Sequence, residues 1–176
     1  MSRQRVGAWR IDVERRAGVP RILPATELAR VIGRALEAGR ALAPASIGLI
    51  LGDDRELAEL NTTHLGHEGP TDVLSFPLLP PDVFRSGSAT PTFALPPGRL
   101  PHLGDIVVSV ERAIEQAESG RGGHTGDVRW SPSDELRLLV THGTLHVCGW
   151  DHAEPAEETA MRALERELLW AARRPN

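Results

Sequence analysis

The chain has 176 residues, 40% of them apolar and 25% charged, with a formal net charge of -4, which predicts one well-cored globular domain over residues 1–176 and excludes a largely disordered chain. Its single cysteine excludes an intramolecular disulfide framework and is typical of a reducing compartment. Because no apolar run approaches the length of a membrane span and no apolar signal core follows the N-terminus, we expect a cytoplasmic protein without a membrane partner.

The first quarter of the chain predicts two strands separated by a helix. Residues 6–13 mix apolar and polar side chains in rough alternation, as a half-exposed strand does. Thr26 is a suitable N-cap for a helix of clear apolar periodicity, which we expect to end at Pro44. Residues 47–51 form a short apolar run that predicts a buried strand, and Asp53 can cap a short helix after it.

A loop and a strand follow that short helix. Glycine, proline and polar residues dominate positions 61–70 and predict a loop, and residues 73–76 predict a strand that Pro77 stops. His64 and His67 lie in the predicted loop. A histidine pair without a third nearby ligand is more typical of solvated or hydrogen-bonded side chains than of a metal site.

The middle of the chain is rich in proline. Residues 78–101 contain six prolines among glycine and serine, which predicts an extended surface insertion rather than a linker between domains. Residues 104–110 are rich in β-branched side chains, with Ile106, Val107 and Val108 in succession, and predict an interior strand. Residues 111–119 then predict a short helix, and the polar, glycine-rich residues 120–130 predict a loop.

The next helix carries clear signals at its start. Ser131 is a good N-cap, Pro132 suits the first helical position, and Asp134 and Glu135 complement the positive end of the helix dipole. We expect this helix to end at about Val147.

Pro155 opens the last predicted helix, along which one face is apolar. The apolar stripe consists of Met161, Leu164, Leu168 and Leu169. We interpret it as core packing rather than as a groove for a partner, and expect Trp170 to pack near the helix end.

Three histidines near the end of the 131–147 helix have the spacing of a metal site. His142 and His146 lie four residues apart, on one face of the helix. Gly149 can take the left-handed conformation that ends a helix, so the chain can fold back and bring His152 round as a third ligand. Neutral imidazoles suit Zn²⁺, and three protein ligands leave one tetrahedral position for water, as in catalytic zinc sites.

The residues around the histidines indicate which reaction the predicted metal site favours. Gly143 occupies the position at which His-Glu-x-x-His proteases carry their general base, so peptide hydrolysis by that mechanism is disfavoured. Three neutral ligands leave the charge of a bound zinc ion at +2, which favours an anionic substrate such as a phosphodiester. Asp151 either orients a ligand imidazole or caps the turn. Cys148 is predicted to be a small buried side chain facing away from His146.

The histidine segment resembles a family signature. In this chain it is written His142-Gly143-x-Leu145-His146-x-x-Gly149-x-Asp151-His152, and it is similar to the signature of the YbeY endoribonucleases, the bacterial rRNA maturation factors. Further matches in the family's order are Leu60-Asn61, the run from Pro70 to Pro77, the run from Leu103 to Ile106, and Met161 followed by Glu165.

This resemblance implies a single α+β domain in which a small mixed sheet of about four strands packs against helices, and the histidine spacing also resembles that of zincin helices. It implies one Zn²⁺ per chain, held by His142, His146 and His152, with a metal-bound water as the nucleophile. It further implies a single-strand-specific endoribonuclease that matures the 3′ end of the 16S rRNA precursor on the small ribosomal subunit and takes part in ribosome quality control.

Contacts to the RNA are expected from Thr71, Asp72, Ser75 and His64. Many family members carry Tyr-Arg where this chain has His64-Leu65, and that arginine is thought to contact the substrate phosphate. We expect His64, His67 or an N-terminal arginine to replace it. Trp150 also replaces the usual tyrosine and Val147 the usual leucine, with similar bulk.

Two alternatives to the endoribonuclease remain open. A metallopeptidase-like hydrolase would use the same histidines, although Gly143 argues against it. A non-catalytic, zinc-containing ribosome assembly factor is compatible with Leu65 at the position of the phosphate-contacting arginine.

Overall fold

A mixed β-sheet of five strands forms the centre of the described structure. The computed structural model describes residues 1–66, 68–69, 71–85, 99–119, 130–151 and 154–173. The strands are β1 (Ser2–Val6), β2 (Trp9–Arg15), β3 (Ala45–Gly52), β4 (Val73–Pro77) and β5 (His102–Ser109), in the order β1-β2-β3-β5-β4. β2, β3 and β5 run parallel, whereas the outer strands β1 and β4 are antiparallel to their neighbours. The predicted α+β class with a mixed sheet is confirmed, but the sheet has five strands rather than about four.

The additional strand comes from an N-terminal hairpin. Residues 6–13 were predicted to form one strand, whereas the chain reverses at Gly7, which has a φ of 56°. β1 and β2 then pair antiparallel, with Val6 opposite Trp9. A two-residue loop with glycine at its first position suits the twist of a hairpin, and alternation of side chains continues through both strands, so the pattern alone does not reveal the reversal.

Six helices are described. They are α1 (Ala25–Ala38), α2 (Asp54–Leu65), the single turn α3 (Asp82–Arg85), α4 (Val110–Glu118), α5 (Pro132–Val147) and α6 (Pro155–Arg173). α5 has the predicted bounds, and α4 lies within one residue of them. Residues 86–98 of the predicted insertion and residues 120–129 of the predicted loop lie outside the described residues.

Three boundaries, in two helices, differ from the prediction. α1 begins after Pro24, without a side-chain cap, so Thr26 is not the N-cap. The helix ends at Ala38 and not at Pro44, because the chain leaves it through Gly39 and through Arg40, which has a φ of 55°. The cap of α2 is as predicted, since Oδ1 of Asp53 accepts from the Glu56 amide at 2.8 Å, but α2 continues through the predicted loop to Leu65.

Helices cover both faces of the sheet at the β4 end. On one face, the main core contains Leu49, Ile106 and Leu136, which belong to β3, β5 and α5. On the other face, Leu57 of α2 packs with Leu74 and Val107. Successive residues of β4 therefore point to different layers. Ser75, which is in register with Ile106, and Val73 face α5.

The last helix packs through part of its apolar stripe. Met161 and Leu169 are buried, as predicted. Trp170 was expected to pack, but its side chain is 56% exposed, so that prediction is wrong. None of the helices in the described ranges is both long and apolar enough to cross a membrane.

Candidate metal centre

α5 begins at a complete capping box. The hydroxyl of Ser131 accepts from the Asp134 amide at 3.2 Å, and the Asp134 carboxylate accepts from the Ser131 amide at 3.1 Å. Pro132 follows at the first helical position. These local bonds satisfy amide groups that a helix start leaves without partners, which explains why the start was predictable.

The end of α5 reverses the chain beside the histidines. Gly149 has a φ of 80°, its amide donates to the His146 carbonyl at 2.9 Å, and the Trp150 amide donates to the Leu145 carbonyl at 3.1 Å. These two bonds form the Schellman motif that closes many helices. The chain therefore folds back after Gly149 as predicted, while His152 itself lies outside the described residues.

His142 and His146 direct the same ring nitrogen at each other. Their Nε2 atoms are 3.1 Å apart, and their ring planes meet at 78°. In a tetrahedral zinc site with Zn–N bonds of about 2.0–2.1 Å, two ligand nitrogens lie about 3.3 Å apart. The two imidazoles therefore stand close to the separation that one bound ion requires.

The opposite ring nitrogens are held by acceptors. Nδ1 of His142 donates to Oε1 of Glu165 at 2.7 Å, and Nδ1 of His146 donates to the Trp150 carbonyl at 2.9 Å. Because a carboxylate and a carbonyl accept only, each Nδ1 donates its proton and each Nε2 is the ring nitrogen directed at the other histidine. At 3.1 Å the two Nε2 atoms are close enough to share a proton or to bind one metal ion. This donor set fits a metal ion.

Sequence reasoning noted Glu165 as a match to the family's order but missed its contact with His142. Glu165 lies on α6, and it is 5% exposed. A buried carboxylate is rare unless it is paired, and here its partner is the His142 ring. A signal was available, because Glu165 falls one turn after Met161 and one turn before Leu169, inside the apolar stripe of α6.

The third ligand is still a prediction. Within the ranges that the structure describes, no group of three His, Cys, Asp or Glu side chains could hold a metal ion. His152 is the predicted third ligand and is not among these residues. Cys148 is not an alternative, because burial raises the pKa of its thiol to about 12 and the side chain packs in the core, as predicted. Asp151 is exposed, and the Nδ1 atoms of the two described histidines are bound by other groups.

Gly143 faces the sheet and not the histidines' flank of α5. A Cβ at this position would lie 2.7 Å from Cγ2 of Ile106 and 3.1 Å from Cγ2 of Val73. The Ser75 hydroxyl also donates to the Gly143 carbonyl at 3.1 Å. The missing side chain therefore has a packing reason: it lets α5 lie close against β4 and β5.

We expect Gly143→Ala to destabilise the protein by roughly 1–3 kcal/mol, because the methyl group overpacks a close helix–sheet contact and outweighs the gain of about 1 kcal/mol in helix propensity. Urea denaturation measures the change. Ile106→Ala removes the nearest clashing atom, so the double variant should be less destabilised than the sum of the two single variants. Strict additivity would contradict the clash.

The residues predicted to contact substrate lie on two sides of the sheet. Asp72 accepts from Nε2 of Gln116 at 3.0 Å, and Ser75 bonds to Gly143, so both help to pin β4 to the helices on its α5 face. Thr71 precedes them. His64 is exposed near the end of α2, and its ring lies edge-on to Phe76, which belongs to the opposite layer. The fold thus brings Thr71, Asp72 and Ser75 together and places His64 apart from them.

Glu135 is buried, although the sequence indicated only a favourable place in the helix dipole. It lies seven residues before His142, so it shares that helix flank. Nε1 of Trp130 donates to its carboxylate. Desolvation by burial raises the pKa of Glu135, the Trp130 bond opposes this, and the charge of Asp72 adds to it.

Known proteins resemble the chain over most of its length. The family model described as "Endoribonuclease YbeY" matches residues 19–173. "Endoribonuclease YbeY" of Thermobifida fusca is 40% identical over 167 residues, which cover 93% of this chain and 94% of that protein. The protein of the same name from Renibacterium salmoninarum is 37% identical over 159 residues, 90% of each chain. The solution structure of TM1509 from Thermotoga maritima is similar in fold, with a TM-score of 0.53 and 23% identity over 92% of this chain and 88% of that one.

Proposed function

The chain belongs to the YbeY endoribonuclease family, and we propose that it is a zinc-dependent, single-strand-specific endoribonuclease that matures the 3′ end of 16S rRNA and acts in ribosome quality control. The proposed substrate is the 16S rRNA precursor, and the proposed partner is the small ribosomal subunit. The names of the similar proteins support RNA as the substrate class.

One observation carries the zinc proposal. The Nε2 atoms of His142 and His146 face each other at 3.1 Å, and both Nδ1 protons are committed to acceptors. That arrangement directs two ring nitrogens at one point in space. We propose His152 as the third ligand, because the Gly149 turn sends the chain back toward the other two.

The chain's own residues orient this centre. The Glu165 carboxylate holds the His142 ring and increases the basicity of its Nε2, while the Trp150 carbonyl holds the His146 ring. When bound, zinc supplies a Lewis acid that lowers the pKa of a water molecule and stabilises negative charge on a phosphate oxygen. Three neutral imidazoles leave the ion's full charge available for an anionic phosphodiester.

The position of Gly143 supports a nuclease over a metallopeptidase. A side chain at this position would collide with Ile106 and Val73 in the sheet, so there is no room for a carboxylate. The general base of the His-Glu-x-x-His proteases thus has no counterpart at this position.

We expect zinc-loaded protein to cleave a single-stranded RNA fragment that carries the 3′ end of precursor 16S rRNA. The same fragment should stay intact when it is annealed to its complement. Chelation should stop the cleavage, and added zinc should restore it. Gel analysis of both RNAs measures the outcome. Protein that carries one zinc per chain yet cuts neither RNA would overturn the nuclease and favour the assembly factor.

A further inference from the structure

The N-terminal hairpin carries three arginines and one aspartate on one face. In the register of β1 and β2, Arg3 lies opposite Asp12 and Arg5 lies opposite Arg10. Side chains directly opposite each other share a face of the sheet. The intervening residue Ile11 is buried in the main core, so these four side chains, the hairpin cluster, lie on the other face.

The three guanidinium groups of the hairpin cluster share one carboxylate. Oδ1 of Asp12 accepts from Nε of Arg3 at 2.9 Å. Oδ2 of Asp12 lies 3.2 Å from Nε of Arg10, but this buried nitrogen makes no hydrogen bond with any described residue. Arg5 has no ion pair within the described part of the chain. Three cations and one anion give the cluster a net charge of +2.

Arg5 and Arg10 form a like-charged pair across the hairpin. Like charges directly opposite each other destabilise a strand pair, and the Cβ atoms of such a pair are about 4.5–5.5 Å apart. Both guanidinium groups can therefore reach one anion. An oxyanion bound between them would accept hydrogen bonds from both and would remove their repulsion.

The described helices leave the hairpin cluster accessible. α1 packs on the opposite face, where its Gly33 contacts Val6, and α2 packs at the β4 end of the cluster's own face. The side chain of Arg3 is 61% exposed, and Arg5 is exposed as well. The guanidinium groups are thus within reach of a ligand in solution.

The face that carries the hairpin cluster extends to β4. One row of residues in register crosses all five strands, from Arg3 through Asp12, Gly48 and Asp105 to Phe76. With strands about 4.8 Å apart, this row is roughly 19 Å long. The exposed His64 ring lies edge-on to the Phe76 ring, with centroids 5.4 Å apart. One end of the face therefore offers cations, and the other end offers aromatic rings.

This combination favours single-stranded RNA over an acidic peptide as the occupant. Guanidinium groups bind carboxylates and phosphates alike, so the arginines alone do not distinguish the two. Proteins hold single-stranded nucleic acids by cations along the backbone together with aromatic rings on which bases stack. Carboxylate side chains would gain nothing from the His64 ring. The name of the similar proteins, endoribonuclease, also supports RNA.

We propose that Arg5 and Arg10 together bind one phosphate group of a single-stranded RNA that lies across this face, with a base of the same strand on the His64 ring. This inference rests on the proposed nuclease function and deepens it, because it assigns an RNA-binding face apart from the metal centre. The histidines belong to α5, which packs on the opposite face of the sheet. The bound phosphate is therefore not that of the cleaved bond, and the arginines contribute affinity rather than chemistry.

Arg5→Gln tests the proposal, with Arg30→Gln as its matched control. Both variants lose one positive charge, but Arg30 is exposed on α1, which covers the opposite face of the sheet. For zinc-loaded protein kept on ice, with the RNA verified as intact, we expect Arg5→Gln to bind a single-stranded 16S 3′ fragment roughly tenfold more weakly than Arg30→Gln. The slope of log affinity against log salt concentration should fall by about 0.7 in Arg5→Gln alone, as expected for one phosphate contact to a single strand.

Two further measurements separate this role from a structural one. Without RNA, Arg5→Gln should unfold at a temperature at least as high as the wild type, because the repulsion from Arg10 is removed. Its cleavage rate at saturating RNA should match the wild type, while more RNA is needed for the half-maximal rate. A residue that only supports the fold would not combine undiminished stability with weaker binding.

Equal affinities and equal salt slopes of the two variants would overturn the assignment. Equal losses in both would show that only the net charge of the protein matters, and would overturn it too. Tighter binding of polyglutamate than of RNA to the wild type, lost in Arg5→Gln, would identify an acidic protein as the occupant and also overturn it. Wild-type protein that binds and cuts the fragment leaves the nuclease proposal intact in each case, whereas wild-type protein that does neither would overturn both.

Discussion

Replacement of both His142 and His146 by alanine is expected to reduce zinc from about one per chain to near zero and to abolish RNA cleavage. The two Nε2 atoms, 3.1 Å apart, are the described donors of the proposed site, and one remaining imidazole cannot hold zinc against competing buffer ligands. Elemental analysis and cleavage of the single-stranded 16S 3′ fragment, on one preparation, measure the two losses.

The controls for this prediction address folding and specificity. His142→Ala leaves the buried Glu165 carboxylate without its partner, which lowers the stability of the fold. The single variant His146→Ala keeps that pair and therefore tests zinc binding without this loss of stability. His102→Ala removes an imidazole that bonds to Ser46 and Asp105, and this variant should keep one zinc per chain. Cleavage by the folded double variant at the wild-type rate would rule out a catalytic role for the histidine pair.

Glu165→Gln is expected to weaken zinc binding roughly tenfold and Glu165→Ala up to about a hundredfold, the range measured when partners of metal-binding histidines are removed. Glutamine keeps an acceptor oxygen for Nδ1 of His142 but loses the charge, and alanine loses both. Competition against a chromophoric chelator gives the affinities of the three proteins.

The stability of the metal-free protein shows whether Glu165 positions the His142 ring for zinc or mainly contributes to packing. The carboxylate of Glu165 is 5% exposed, and removal of its charge lowers a desolvation cost, so metal-free Glu165→Gln should be at least as stable as the wild type. Glu167→Gln makes the same charge change at an exposed position of α6 and should leave zinc affinity unchanged. Unchanged affinity in Glu165→Gln would show that the carboxylate does not position the ligand.

The boundaries of α5 and the turn after it were predictable because their causes are local. The Ser131 capping box joins residues three apart, and the Gly149 turn is closed by bonds to carbonyls three and five residues away from their donors. The four-residue spacing of His142 and His146 likewise follows from the helical repeat alone. Each of these features depends only on neighbouring residues.

Predictions were wrong where the local sequence pattern fits two structures equally well, or where tertiary contacts outweigh the local preference of the sequence. Alternation along residues 6–13 is the same for one strand or for a hairpin, and only the reversal at Gly7 distinguishes them. α2 extends to Leu65, through polar residues that resemble a loop, because Leu57 and Leu60 anchor it to the sheet. Trp170 continues an apolar stripe, yet no described neighbour covers more than part of it.

The sequence by itself determined the helix that carries the histidines, its two ends, the ligand spacing and the family, because these depend on residues close together or on a fixed order of motifs. Only the tertiary structure decided that Glu165 of α6 binds His142 and that Gly143 lies against the sheet. Those contacts join residues 23 or more positions apart, and they depend on how helices pack on the sheet, which local hydrogen bonds and periodicity do not specify.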